Sequence, residues 1–411
     1  MTPSSGKDSE TGARSLKGSL HGIRILDASR VLAGPFATQM LGDLGAEIIK
    51  IEQPGTGDET RGWGPPFAQE LSSYFSSCNR NKKSVTLNLK DRRGREIFAS
   101  LAARSDIVFE NFTATTRSRL GFDSHTLHAV NPGLIIVSVT SFGKSGPFAQ
   151  HPGYDFAMQA MSGLMSITGP ADGPPSKVGV AIVDIVTGLY AANAALAALH
   201  ARTSNGPGSH GYAIEVSLLD CAAALQANVL QAFIDTGVQP QRQGNAHLQI
   251  VPYQLFQTSD GWIVLAVGND SQWQRFCEAA ELLSLAADEK YKTNERRVRN
   301  REPLVEKLRL ILRTRSTTAW RDLLAQAEVP HSPVWGYADL LSSDIGKSRG
   351  IRIRARRPDG QEVELVRSPL LARGDDFSAP PKLGEHTDEV LLRVLQIDSL
   401  ELDRLKKNGV I

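Results

Sequence analysis

A chain of 411 residues has room for two or three domains, and its 41% hydrophobic content is enough to bury a sizeable core. A formal net charge of +2 with 22% charged residues excludes a global attraction to nucleic acid or to a membrane, so an anionic ligand must be held by a local cluster. Cys78, Cys221 and Cys277 lie far apart, without the paired spacing of a zinc or redox centre. They read as reduced, buried residues, and neither a metal nor a permanently bound cofactor is expected.

Residues 1–20 are rich in Ser, Gly and charge and read as a disordered lead-in. Residues 22–28 form an apolar run suited to a buried strand. Residues 35–44 form a helix with Pro35 at its start and Gly45 past its end, and residues 46–52 a second strand. This βαβ unit continues with a strand at 84–89, a polar-faced helix at 91–104 and strands at 106–111 and 133–140. Alternation of this kind predicts an α/β fold, a Rossmann-like doubly wound parallel sheet.

A helix opening near Gly153 follows. Next is an Ala-rich apolar region, 178–201, interrupted by Asp184, Thr187 and Asn193, which suits a buried helix better than a membrane span. A strand at 212–216 and a helix at 218–235 complete this part. The character then changes to short strands within 251–268 and helices at 272–285, 301–314 and 317–327, a smaller α+β domain. Short strands at 352–356 and 362–366, a loop at Pro380-Pro381 and helices from 387 end the chain. The expected organisation is a lead-in at 1–20, a large domain at 21–220, a small domain with its linker at 221–330 and a return at 331–411, in a soluble cytoplasmic protein.

Glu52, ending the second strand, is placed like a ribose-binding acid, but the turn Ser29-Arg30-Val31-Leu32-Ala33-Gly34-Pro35 lacks the Gly-x-Gly-x-x-Gly spacing of a dinucleotide site. The basic run Arg80, Lys82, Lys83, Lys90, Arg92, Arg93 and Arg95 is either a solvated face or a phosphate site. Asn111, Phe112 and Arg119 follow a neighbouring strand, where open parallel sheets bind ligands. Asp155, beside Tyr154 in the Gly153-Tyr154-Asp155 turn, either caps its helix or acts as a nucleophile.

Arg30-Val31-Leu32-Ala33-Gly34-Pro35, Gly55-Thr56-Gly57-Asp58-Glu59-Thr60-Arg61-Gly62-Trp63, Asn79-Arg80-Asn81-Lys82-Lys83-Ser84, Glu110-Asn111-Phe112, Gly153-Tyr154-Asp155 and Leu383-Gly384-Glu385-His386-Thr387, in that order, resemble the family III CoA-transferases, the CaiB/BaiF group. Within the group, Val251-Pro252-Tyr253-Gln254 and Tyr291-Lys292-Thr293-Asn294 are most similar to the branch that exchanges CoA between succinyl-CoA and glutarate. The resemblance implies a two-domain subunit interlocked with a second copy, acyl-CoA and small carboxylic acids as substrates, and Asp155 as the catalytic residue. It places Val31, Ala33, Leu87, Lys90, Asn111, Phe112 and Arg119 along the CoA site. Where the formyl-CoA branch has a glutamine and a glycine-rich lid, this chain has Leu32 and Gly244-Asn245-Ala246-His247.

Exchange of CoA between acids trades one thioester for another, and an aspartate, ordinarily ionised at neutral pH, can serve as the relay without a general base. Oxyanion donors are expected from Gly244 and its neighbours or from the turn at Gly153, and a distal carboxylate fork from Arg30 or Arg61. Two alternatives stand beside this. One is racemase-like proton transfer, for which Tyr154 replaces the required His and leaves Asp184 as a buried, hydrogen-bonded helix residue. The other is a CoA-binding protein without catalysis. His247, with Gly244, is a candidate substrate-site residue; His247 and His386 could do acid–base work, although a lone His is more often structural.

Overall fold

The structure, a computed structural model, describes residues 15–68, 71–372 and 374–411. It divides into two compact units. The first takes the chain up to Leu164, then Val178–Asp235 and Gly346–Ile411. Its centre is a six-stranded, all-parallel sheet of β1 (Arg24–Asp27), β2 (Glu47–Glu52), β3 (Lys82–Thr86), β4 (Ile107–Glu110), β5 (Ile135–Thr140) and β6 (Ala213–Ser217) in the order β3-β2-β1-β4-β5-β6. This is the doubly wound order that turns back on itself between β1 and β4.

The strands are apolar almost throughout because both faces are covered. Ile25, Ile48, Ile107 and Val137 point into one core with helices α1 (Ala33–Asp43) and α5 (Ile182–Ser204). Leu26, Ile49, Val108 and Ile136 point into the other, with α2 (Arg92–Ala102) and the terminal helices Thr387–Leu395 and Ser399–Lys407. Helix α1 begins at Ala33, two residues before Pro35; the proline still fits, since first-turn N–H groups have no partner within the helix. Helices α3 (Ala114–Leu120) and α4 (Asp155–Met161) follow β4 and β5, and α6 (Leu218–Leu225) follows β6.

The second unit comprises Met165–Lys177 and Thr236–Ile345. Its antiparallel sheet orders β7 (Tyr253–Gln257), β8 (Trp262–Ala266) and β9 (His331–Pro333) as β9-β8-β7. Helices Asp270–Ala279, Arg301–Leu312 and Thr317–Gln326 enclose a core with Trp273, Phe276, Leu308 and Trp320.

Several expectations are corrected. Residues 15–20 are folded against the end of α1, where the N–H groups of Gly18 and Leu20 both donate to Leu44 O at 3.0 Å; the rest of the expected lead-in, 1–14, lies outside the described residues. The boundary drawn at 220 falls after Asp235, because Leu218, Cys221 and Ala222 are buried with the first unit. The return drawn at 331 begins at Gly346, because β9 pairs with β8. The helix expected at 218–235 breaks at Gln226, followed by Ala227 at φ +34°. All three cysteines are buried and free. Helix α5 is long and apolar enough to cross a membrane, with half of its most apolar stretch buried.

Candidate active site

In an open parallel sheet the ligand crevice lies beyond the carboxyl ends of the strands where the order reverses. Here those ends are Asp27 on β1 and Glu110 on β4. Two adjoining cavities, about 220 and 590 Å3, open at this point and share Arg30, Glu59, Phe112 and Thr116. The smaller reaches Val31, Ala33, Asn111, Lys144, Tyr154 and Asp184; the larger reaches Leu87, Lys90 and Arg119. All seven residues expected along a CoA site therefore line one continuous cleft.

Buried ion pairs hold this loop cluster. Asp27 bonds Lys82 at 3.0 Å, and Lys50 bonds both Asp58 at 2.9 Å and the carbonyl of Ser29 at 3.0 Å. Against burial, which raises it, the charges of Lys82 and Lys50 bring the Asp27 carboxyl down to about 2. Glu110 fixes Arg117 at 2.7 Å, and Arg117 in turn donates to Phe112 O. Asn111 clasps the backbone of Arg30 twice, accepting its N–H at 3.1 Å and donating to its carbonyl at 2.9 Å. Within this frame Val31 is held at φ +71°, unfavourable for a β-branched residue and costing on the order of 1–3 kcal/mol.

Asp155 is the first residue of α4 and 9% exposed. Gly153 leads into it because a side chain there would meet Met158 Cε at 2.7 Å and Ser141 Cβ at 2.9 Å. Tyr154 precedes the helix without a side-chain cap and is exposed toward the cleft. The Asp155 carboxylate does not cap its own helix. Oδ1 accepts the N–H of Val183 on α5 at 2.7 Å, and Oδ2 accepts Gln159 Nε2 at 2.7 Å. Gln159 is locked in this sense because its Oε1 accepts the N–H of Val178 at 2.8 Å.

The basic run resolves into structural pairs with one exception. Arg80 forks onto Asp43, Lys82 is buried on Asp27, Lys83 meets Glu389, Arg92 and Arg93 meet Glu96, and Arg95 bonds the carbonyl of Lys90. Only Lys90 lines the cleft. It joins Arg30 and Arg119, and among the described residues none of these three has an ion-pair partner. Arg61 is corrected: its fork is closed on Glu52 at 2.7 Å, its third nitrogen donates to Pro381 O, and its plane lies 3.7 Å over Phe75. Glu52, gripped by Arg61 and Ser84, is accordingly not a free ribose acid.

Gly244 and His247 belong to the second unit. The Gly244 N–H is engaged by Gly169 O at 3.1 Å, so the expected oxyanion donor at that position is already bonded. His247 accepts the N–H of Gln249 on Nδ1 at 3.0 Å. His386 lies outside the cleft, and burial lowers its pKa. Sequence reasoning missed Lys144, whose pKa burial lowers first and Arg117 second; Asp184 is buried in a helix as expected, but among the described residues the expected hydrogen bond is not there. That residue opens on the cleft, and no described residue hydrogen-bonds its side chain. Nothing in the local sequence signals either one.

The model for the family described as CoA-transferase family III matches residues 20–387. The chain is 40% identical over 396 residues to the succinyl-CoA:glutarate CoA-transferase of Mus musculus, covering 95% of this chain and 90% of that one. It is 40% identical over 393 residues to the succinate–glutarate CoA-transferase of Agrobacterium fabrum, covering 92% and 96%. A crystal structure of a CAIB/BAIF family protein from Brucella suis is similar at a TM-score of 0.79 and 38% identity, over 91% of this chain and 99% of that one.

Proposed function

The chain belongs to CoA-transferase family III, and we propose that it moves CoA from succinyl-CoA to a dicarboxylate of about glutarate size through a covalent relay on Asp155. The observation that carries this reading is the grip on Asp155: one residue on from Tyr154 of the cleft lining, its carboxylate is held by two N–H donors, and among the described residues no cation pairs with it. The names of the two transferases 40% identical to the chain supply the substrate pair.

The relay balances without ATP or metal. An Asp155 oxygen attacks the thioester carbonyl, the C–S bond breaks, and a succinyl–aspartyl anhydride and CoA thiolate result. The thiolate then attacks the aspartyl carbonyl, releasing succinate and leaving CoA as an Asp155 thioester. The acceptor carboxylate attacks that thioester, and the returning thiolate takes the acceptor's acyl group and frees Asp155. Lys90 and Arg119 suit the phosphate-bearing end of CoA, Phe112 and Leu87 its apolar contacts, and the strained Val31 and Ala33 its approach to Asp155. Arg30, whose side chain has no ion-pair partner among the described residues, suits the distal carboxylate. CoA thioesters thus enter as substrates rather than as a resident cofactor. We read the working enzyme as a cytoplasmic, interlocked homodimer. The apolar side chains of Phe156, Met161, Leu189, Tyr190 and Ile234, exposed on three helices of the first unit, support a partner surface.

The test is to incubate the protein with succinyl-CoA, add hydroxylamine, and map the modified peptide by mass spectrometry. Modification is expected on Asp155, with Asp155→Ala reducing glutaryl-CoA formation by at least about a thousandfold. Arg30→Ala is expected to raise KM for glutarate about tenfold or more while leaving KM for succinyl-CoA in place. Undiminished exchange by Asp155→Ala would sink the relay. Deuterium uptake at the α-carbon without exchange would favour the racemase reading, and tight CoA binding with neither reaction the non-catalytic one.

A further inference from the structure

Resting on the relay just proposed, we infer that Asp184 is a second catalytic residue, a carboxylic acid that keeps its proton and donates a hydrogen bond to the carboxylate arriving at or leaving Asp155.

Two neighbouring carboxyls are held differently. Asp155 and Asp184 are both 9% exposed, and they meet through one peptide: the N–H of Val183 bonds Asp155 Oδ1, and Asp184 is the next residue on the same first turn of α5. Asp155 accepts two hydrogen bonds, whereas among the described residues no donor reaches the Asp184 side chain. A buried carboxylate without a donor is costly, and two carboxyls so close do not both ionise readily. The member with donors is equipped to hold the charge; the member without them holds the proton. Burial first, and the charge of Asp155 second, push the Asp184 carboxyl up to about 7.

The surroundings leave this proton in place. The titratable groups around Asp184 are Asp155 and Tyr74, and across the small cavity Glu59, Arg30, Arg117, Lys144, His151 and Tyr154. None hydrogen-bonds to it. Tyr74 is itself held neutral, its pKa raised by burial first and by Asp184 second. Asp184 therefore presents its O–H to the cavity it shares with Tyr154 and Arg30.

The chemistry has a use for such a donor. Each half of the exchange brings a free carboxylate against Asp155 while Asp155 is held as a neutral thioester, so a charge on Asp184 would repel that carboxylate, whereas a neutral acid bridges to it. A carboxylic acid kept neutral to donate a hydrogen bond at a developing oxyanion has precedent in enzyme chemistry. No proton is consumed: bonds to carbon and sulfur exchange, and the hydrogen remains on Asp184.

The experiment measures succinyl-CoA:glutarate exchange from pH 5.5 to 9 in the full-length wild type, Asp184→Asn and Asp184→Ala, with each variant's fold checked by its melting transition. At pH 6, Asp184→Ala is expected to lose about a hundredfold in kcat, the usual size for a lost transition-state donor, while Asp184→Asn, which keeps an N–H donor, loses about threefold or less. The wild-type to Asp184→Asn ratio of kcat should fall as pH rises through about 7, because only the wild type loses its donor by ionisation. A ratio constant across the range, or Asp184→Ala equal to wild type at pH 6, overturns the inference. Hydroxylamine trapping separates the two readings. If Asp155 is modified in the wild type and the ratio stays flat, only the role of Asp184 fails; if Asp155 is never modified, the relay itself fails.

Discussion

Asp155 and Asp184 carry the same side chain on adjoining helices, and their surroundings alone make them different. The raised pKa of Asp184 also has a consequence for stability. Its folded value lies above the unfolded one, so its contribution is fully present below about pH 4 and is lost as pH rises to about 7, where the folded protein must bury a charge. Asp184→Asn is therefore expected to melt higher than wild type at pH 7.5, with the difference closing below about pH 4; calorimetry across that range checks it. Equal melting temperatures at pH 7.5 would show that the carboxyl is not buried at a cost. Arginines divide in the same way. Arg61 and Arg30 flank the same loops, but Glu52 closes the fork of one and leaves the other open.

At the scale of the element, helix α5 explains its own composition. Its buried face carries Gly188, Ala191, Ala192, Ala195 and Ala198, small residues that let it lie close to α1. At Gly188 the approach is closest: a Cβ would sit 2.7 Å from Ala33 O and 3.1 Å from Phe36 Cδ1. Since Ala33 also lines the cleft, pushing α1 away moves the wall beside Val31. Gly188→Val is expected to cost about 1–3 kcal/mol by urea unfolding and to raise KM for succinyl-CoA, whereas a purely structural crossing would leave KM unchanged. The same helix carries Val183 and Asp184, so it sets the distance between Asp155 and its donor. An apolar stretch that by length resembles a membrane span thus serves as the backbone of the site.

At the scale of the whole molecule, the apolar residues exposed on the first unit lead to an expected mass of about twice 44.6 kDa in solution, to be measured by light scattering. A monomer at micromolar concentration would remove the interlocked dimer from the proposed function. The sequence by itself determined the order along the chain of the strands in the parallel sheet, the doubly wound class, the position of Asp155 at a helix start and, through the family resemblance, the seven residues along the cleft. Each of these depends on local periodicity, on turn chemistry, or on motifs matched in order along one chain. Only the tertiary structure decided which charges are free. Arg80 finds Asp43, Lys82 finds Asp27 and Gly244 finds Gly169, while Lys90, Arg119 and Arg30 are left to the cleft. The reason is physical. Burial follows from the period of a segment, but the pairing of a charge depends on distances through space to residues remote in sequence. The proton on Asp184 is the sharpest case, since it follows from an absent donor and from a neighbour on another helix.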